Sequence, residues 1–212
     1  MSRTTGTYIT NTIAGEQVRS FVPHPLPPRR PVVKVEGNLS ELHSAALAAL
    51  GRLEIAGRMV PSPNWFLYGF VRKEAVISSQ IEGTQATFED LVAFEASERS
   101  DRPADVEEVC NYVDALNYAR KQLATPRGLP ICSRLLCAMH ERLMRGVRGS
   151  EKQPGKIRKS QNWIGGTSPG NARFVPPPPD KVANTLTALE KWIHGKEKLP
   201  PLVKAGLAHV QF

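Results

Sequence analysis

Long apolar runs are missing from this chain of 212 residues. No stretch approaches the length of a membrane-spanning helix. Met1 to Thr12 is polar, without the charged start and apolar centre of a secretion signal. A cytoplasmic protein with no membrane partner is therefore expected. Cysteine is scarce too. Cys110, Cys132 and Cys137 form an odd set without metal-ligand spacing and fall in apolar helical patterns, so they read as small core residues, neither disulfide nor zinc, and no metal site is predicted. Acidic residues are outnumbered, 20 Asp and Glu against 28 Lys and Arg, for a net charge of +8. That balance permits an acidic partner such as nucleic acid or nucleotide phosphate. Most of the excess is scattered, however, and the densest run, Arg142 through Arg145, Arg148, Lys152, Lys156 and Arg158 to Lys159, spans a helix end where the dipole alone favours bases. No helix-turn-helix, zinc or base-stacking signature accompanies it, which leaves nucleic-acid binding as the weakest of the readings kept.

What the chain does have is helical periodicity. After a proline-rich opening, with Phe21 to Pro28 expected to lie as polyproline-like chain across a surface, Asn38 is placed to cap a core helix with Leu39, Leu42, Ala46, Ala49, Leu50 and Leu53 on one face. Ser62-Pro63 opens a second helix to about Glu82, its apolar side Phe66, Leu67, Phe70, Val71 and Ile77 or Ile81. Thr87 starts a short third helix through Leu91 and Phe94. The polar stretch Ser97 to Arg102 comes next, then a fourth helix from Pro103 with Val106, Val109, Cys110, Val113, Leu116 and Leu123 inward. Leu129-Pro130 opens a fifth, burying Leu135, Leu136, Met139, Leu143 and Val147. His140 on it reads as a partly buried, hydrogen-bonded histidine, with no adjacent nucleophile or base. A sixth helix spans about Asp180 to His194, with Val182, Leu186, Leu189 and Ile193 inward, and a seventh starts at Pro200-Pro201.

Two stretches carry chemistry. In the first, Ser78-Ser79-Gln80-Ile81-Glu82-Gly83-Thr84, Ser78 and Glu82 stand one helical turn apart, and Gly83 suits a left-handed close. The Glu82 carboxylate then projects from a terminus held still, and a fixed carboxylate calls for an arginine or a metal. In the second, residues 154–179, Gly155, Gly165, Gly166 and Gly170 exclude a long helix. Strand-prone Ile157, Trp163, Ile164, Phe174 and Val175 flank a turn-rich tip there, predicting a hairpin. Such a hairpin either covers a core edge or binds extended peptide by strand addition.

The first stretch, with Glu74-Ala75 before it and Thr84-Gln85-Ala86-Thr87 after it, resembles the inhibitory helix of Fic-family proteins that carry this helix ahead of the catalytic core. Gly155-Lys156-Ile157-Arg158, Gln161 to Gly166 and Ala172 to Pro179 match that family's flap in order, and the opening Pro-x-x-Leu-Pro-Pro is similar too. The resemblance implies a mainly α, Fic-like helical fold with an N-terminal helical extension and one β-hairpin flap. It gives an extended arm at residues 1–37, a helical region with the inhibitory helix at 38–102, and a partial Fic core at 103–212 whose C-terminal part is missing.

It also implies an activity: transfer of AMP from ATP, with magnesium, to a hydroxyl on a target protein. Ser78, Glu82 and Gly83 would form the inhibitory motif, with Glu82 next to the nucleotide. Ile157, Asn162, Trp163, Ile164, Gly165 and Gly166 would form the target-docking flap. The family's catalytic signature, H-P-F-x-x-G-N-G-R-x-G-R, does not occur in the 212 residues, and His209, followed by Val210-Gln211-Phe212, does not stand in for its histidine. The chain is therefore read as an N-terminal fragment of a protein adenylyltransferase, inactive as given and not expected to bind ATP or magnesium well. The runner-up reading is a stand-alone inhibitor acting in trans on a Fic core. Partial cover for the apolar faces implies self-association.

Overall fold

A computed structural model of the chain describes residues 4–97 and 103–212. Among them lie seven α-helices and one two-stranded antiparallel sheet, the mainly helical fold that the periodicity predicts. No helix among the described residues is long and apolar enough to cross a membrane. The chain divides into two compact units, residues 48–156 and residues 1–47 with 157–212, and the first boundary falls inside helix α1 (Asn38–Met59). The boundary expected at 102/103 adjoins residues 98–102, which lie outside the described residues, as does the polar stretch beyond Ser97.

In the unit of residues 48–156, α2 (Pro63–Ile81), α3 (Phe88–Ala96) and α4 (Ala104–Ala124) enclose a core of Ala75, Val76, Ala86, Leu91, Val106, Val109 and Val113. A second cluster, Ala119, Cys132 and Leu135, joins α4 to α5 (Ser133–Leu143). Helix α3 starts as its sequence dictates. Thr87 Oγ1 accepts from the Asp90 amide at 3.1 Å while Asp90 Oδ2 accepts from the Thr87 amide at 2.9 Å, a reciprocal cap. The buried Asn111 donates from Nδ2 to the carbonyls of Leu143 and Arg145 at 3.3 and 2.7 Å, satisfying the open end of α5.

Several helix faces differ from expectation. Helix α1 buries none of its residues, and Leu53 is 68% exposed, because no other element packs along it among the described residues. Its first turn is capped by the Gly37 carbonyl, which accepts from Ser40 and Glu41, and Ser62 ahead of α2 makes no side-chain cap bond. Helix α2 turns Ala75 and Val76 inward with Val71 beside them, leaving Phe66, Leu67, Phe70, Ile77 and Ile81 exposed. The small side chains face α4, where the helices approach closely. Leu123 is exposed near the C-terminal end of α4, and α5 begins after the Pro130 turn, at Ser133.

The other unit holds the sheet. Strands β1 (Gly6–Ile13) and β2 (Glu16–Pro23) pair from Gly6↔Pro23 to Ile13↔Glu16. The arm expected to be extended and proline-rich is paired as a hairpin as far as Pro23, closed by Ala14 and Gly15 at φ 49° and 85°. Two successive residues at positive φ make the tight turn that suits strand twist, and prolines enter only where pairing stops. Val18 and Ser20 are fully buried, and α6 (Pro179–Ile193) contributes Leu189 and Trp192 to the interior, with Val182, Leu186 and Ile193 half-buried. Helix α7 (Pro201–Gln211) completes the described elements.

Candidate regulatory turn and docking edge

The Ser78 to Thr84 stretch closes α2 against α4. The amides of Gly83 and Thr84 donate to Gln80 and Ser79 carbonyls at 3.0 and 3.1 Å, with Gly83 at φ +99°, a conformation that costs a side-chain-bearing residue energy. Carboxylates of α4 pin the next two residues. Thr84, 3% exposed, donates its hydroxyl to Glu108 Oε2 at 2.8 Å, and the Gln85 amide donates to Asp105 Oδ2 at 2.7 Å. Gln80 Nε2 reaches the Ala86 carbonyl at 3.0 Å.

Within this frame Glu82 is exposed, and its carboxylate takes part in none of the ion pairs among the described residues. Ser78 hydrogen-bonds backwards, its Oγ donating to Glu74 Oε1 at 2.7 Å, where the Tyr112 hydroxyl also donates at 3.3 Å. Ser78 therefore steadies the helix, and Glu82 is left available.

Residues 157–179 lie in the other unit. Ile164 and Phe174 exchange amide–carbonyl bonds at 2.8 and 3.1 Å, the one bridge between the two limbs of this segment, so the regular hairpin of the fold is at 6–23 and not at 154–179. The reason is chemical. Pro176 to Pro179 have no N–H to give a ladder. Side chains replace it: Gln161 Nε2 donates to the carbonyls of both Asn162 and Pro176 at 3.0 Å, joining the two limbs where Pro176 cannot. Arg158 donates to Ser160 O at 2.8 Å and to Pro177 O. Burial lowers the pKa of its guanidinium from the usual arginine value. At the tip, Asn171 Oδ1 accepts from the Thr167 and Ser168 amides at 3.0 Å.

The limb of residues 173–175 is itself braced by the hairpin. The Phe21 amide donates to Val175 O at 2.8 Å, the Gly170 amide donates to Glu16 Oε2 at 3.1 Å, and the Phe21 and Phe174 rings lie 6.1 Å apart. Residues 162–165 are thus the outer edge of this arrangement. Trp163 and Gly165 make no backbone hydrogen bond among the described residues, and Gly165 and Gly166, at φ 70° and 76°, turn the chain out of extended conformation directly after Ile164. Asn162, Trp163, Ile164, Gly165 and Gly166 are all exposed, Ile164 by 64%, while Ile157 is half-buried. Gly165 leaves room for Arg173, whose Cβ would lie 3.1 Å from a side chain placed there.

Other candidate residues have quieter roles. His140 is exposed, its Nδ1 accepting from the Gly155 amide at 3.0 Å. Of the basic run, Arg142 stacks 3.6 Å from the Tyr118 ring centroid and approaches Asp114 at 3.8 Å, and Arg148 lies 3.9 Å from Glu108. Sequence reasoning missed Gln161, Arg158, Glu16 and Phe21 as holders of the flap. The missing N–H groups of the proline run were the available signal for the first two.

Two family patterns match this chain: that described as Fic/DOC family N-terminal over residues 40–121, and that described as Fic/DOC family over residues 130–212. This chain carries both Fic/DOC domains. The Ser78 to Thr84 turn lies in the first and the flap in the second. A solved Fic family protein from Desulfovibrio desulfuricans G20 shares the fold, with a TM-score of 0.61 and 20% identity over 85% of this chain. The matched part is 52% of that protein, so the present chain spans about half of its length.

Proposed function

We propose that this chain supplies the regulatory and target-docking parts of a Fic-type protein adenylyltransferase, the enzyme class that moves AMP from ATP to a protein hydroxyl. The observation that carries the reading is Glu82: an exposed carboxylate without an ion pair among the described residues, on a turn that Thr84 and Gln85 fasten to α4. A carboxylate so placed receives a guanidinium by two parallel charge-assisted bonds. In the family the guanidinium is that of the signature's last arginine, and its capture keeps it from the γ-phosphate.

The exposed edge beside the Ile164–Phe174 bridge, where Trp163 makes no backbone hydrogen bond among the described residues, would provide the second task, pairing with an extended segment of target whatever its side chains. The family's signature, which supplies its catalytic histidine and phosphate-binding loop, does not occur in residues 1–212. Residues 1–212 alone are accordingly proposed to transfer no AMP. The unpaired state of Glu82 also favours a second reading, inhibition in trans of a separate Fic core.

The test is AMP transfer from α-labelled ATP with magnesium, measured for residues 1–212 and for a Fic core lacking its own inhibitory helix, with and without this chain. No transfer by residues 1–212 is expected. In any chain that runs on through the signature, Glu82→Gly should raise transfer by at least tenfold. Labelling by residues 1–212 alone, or an unchanged rate in the Glu82→Gly protein, overturns the proposal. Loss of core activity on mixing, relieved by Glu82→Gly, selects the reading in trans.

A further inference from the structure

Strand β1 has a free outer edge, and its parity is fixed by bonds on either side. The His24 amide donates to Thr5 O at 2.9 Å, which in the observed register makes Thr7↔Val22, Ile9↔Ser20, Asn11↔Val18 and Ile13↔Glu16 the bonded pairs. The Phe21 amide, one residue out of phase, leaves the hairpin on its far side for Val175, as this parity requires. Gly6, Tyr8, Thr10 and Thr12 therefore turn their N–H and C=O groups away from β2. None of the four has a backbone partner, and no element besides β2 packs along β1, among the described residues.

Exposed edges are ordinarily guarded by charge, proline, a bulge or shortness. Gly6-Thr7-Tyr8-Ile9-Thr10-Asn11-Thr12-Ile13 has no Lys, Arg, Asp, Glu or Pro, pairs without a bulge, and is rich in β-branched residues.

We propose that this edge is a dimerisation site, at which β1 pairs antiparallel with β1 of a second copy of the chain. The sequence is self-complementary in one register. With the two-fold axis at Ile9, Gly6 meets Thr12 and Tyr8 meets Thr10, so every outward residue finds an outward residue and about eight backbone hydrogen bonds form over about 20 Å. Tyr8 faces Thr10 of the second copy, an aromatic against a β-branched side chain, and Ile9 faces Ile9, both favourable cross-strand pairs. Strand β1 has no charge of its own with which to select a charged partner, and the Arg19 guanidinium of β2 is held over the Tyr8 ring, 4.8 Å from its centroid, so the strand tolerates its own copy at close approach. The net charge of +8 works against association at longer range, so the dimer tightens as salt screens that repulsion.

Thr10→Pro is the decisive variant, because the N–H it removes is one that β2 does not use. Thr10→Lys is the second, placing a charge at the edge without touching the backbone. Sedimentation of the full chain from about 1 to 200 μM should show a reversible dimer, tighter in 0.5 M than in 0.05 M salt. Both variants should weaken it at least tenfold while leaving the far-ultraviolet circular dichroism unchanged. Amide exchange at Gly6, Tyr8, Thr10 and Thr12 should slow as concentration rises. A monomer throughout, a dimer indifferent to both substitutions, or protection of these amides only when an extended segment of a different protein is added overturns the proposal.

Discussion

The Glu82 turn and the flap edge are held by opposite means. Around Glu82 the backbone closes on itself, and α4 carboxylates pin Thr84 and Gln85, above a core that includes the fully buried Leu91 and Val109. At the flap, one backbone bridge and the side chains of Gln161 and Arg158 join two limbs whose outer residues are exposed. The difference reflects what each offers. A carboxylate that is to meet one guanidinium needs a fixed position, and its own backbone is best fully engaged. An edge that is to receive a strand must leave its backbone groups unspent, which forbids a second ladder on that side.

The sharpest way to break the contrast is to remove the seat of the turn. Leu91→Ala should cost about 2 to 5 kcal/mol, because a buried leucine leaves a cavity as well as losing its transfer energy. Ile164→Ala, at the exposed edge, should stay within about 0.5 kcal/mol. Denaturant unfolding of the two variants measures both, and equal costs would erase the distinction. Next in size is Thr84→Val, which leaves Glu108 without its 2.8 Å donor. A cost of about 1 to 3 kcal/mol is expected, with Glu82 loosened in proportion. On the flap, Arg158→Met strips the donor from the carbonyls of Ser160 and Pro177. About 1 kcal/mol is expected there, visible as faster proteolysis within residues 157–179, and unchanged cleavage would show that Gln161 suffices alone.

The helices, the Gly83 close and the exposed Glu82 were legible because each depends on near neighbours in sequence. Periodicity says that α1 and α2 have an apolar face, but not which partner covers it. So Leu42, Leu50, Phe66 and Phe70, read as core, are exposed, while Ala75 and Val76, too small to dominate the pattern, are buried. Expectation tracked the prolines past Thr7 to Ile13, although the alternation there and the Ala14-Gly15 turn signal a hairpin. Contacts such as Glu16 with Gly170 and Thr84 with Glu108 join distant positions, and no local pattern announces them.

The smallest effect tests whether charge also fastens α3 beneath the turn. Glu95 on α3 receives Arg72 Nε and Nη2 from α2 at 2.7 and 2.8 Å and accepts from the Tyr68 hydroxyl as well, with the guanidinium 3.3 Å from the Tyr68 ring centroid. Burial pushes the Glu95 carboxyl up, and the bonds from Arg72 and Tyr68 outweigh it, leaving the pKa below the ordinary 4.5. A carboxyl lowered on folding stabilises the fold in full above its unfolded value and loses that contribution as pH falls through the folded one. The stability gap between the natural chain and Glu95→Gln should therefore be constant from pH 7 to about 5 and close progressively below the ordinary carboxylate value. Asp90, lowered by its bonds with Thr87, titrates alike in both proteins and cancels from the difference. A gap that stays open in acid would assign the Arg72 contact to packing over Tyr68, and charge would then have no part in seating α3.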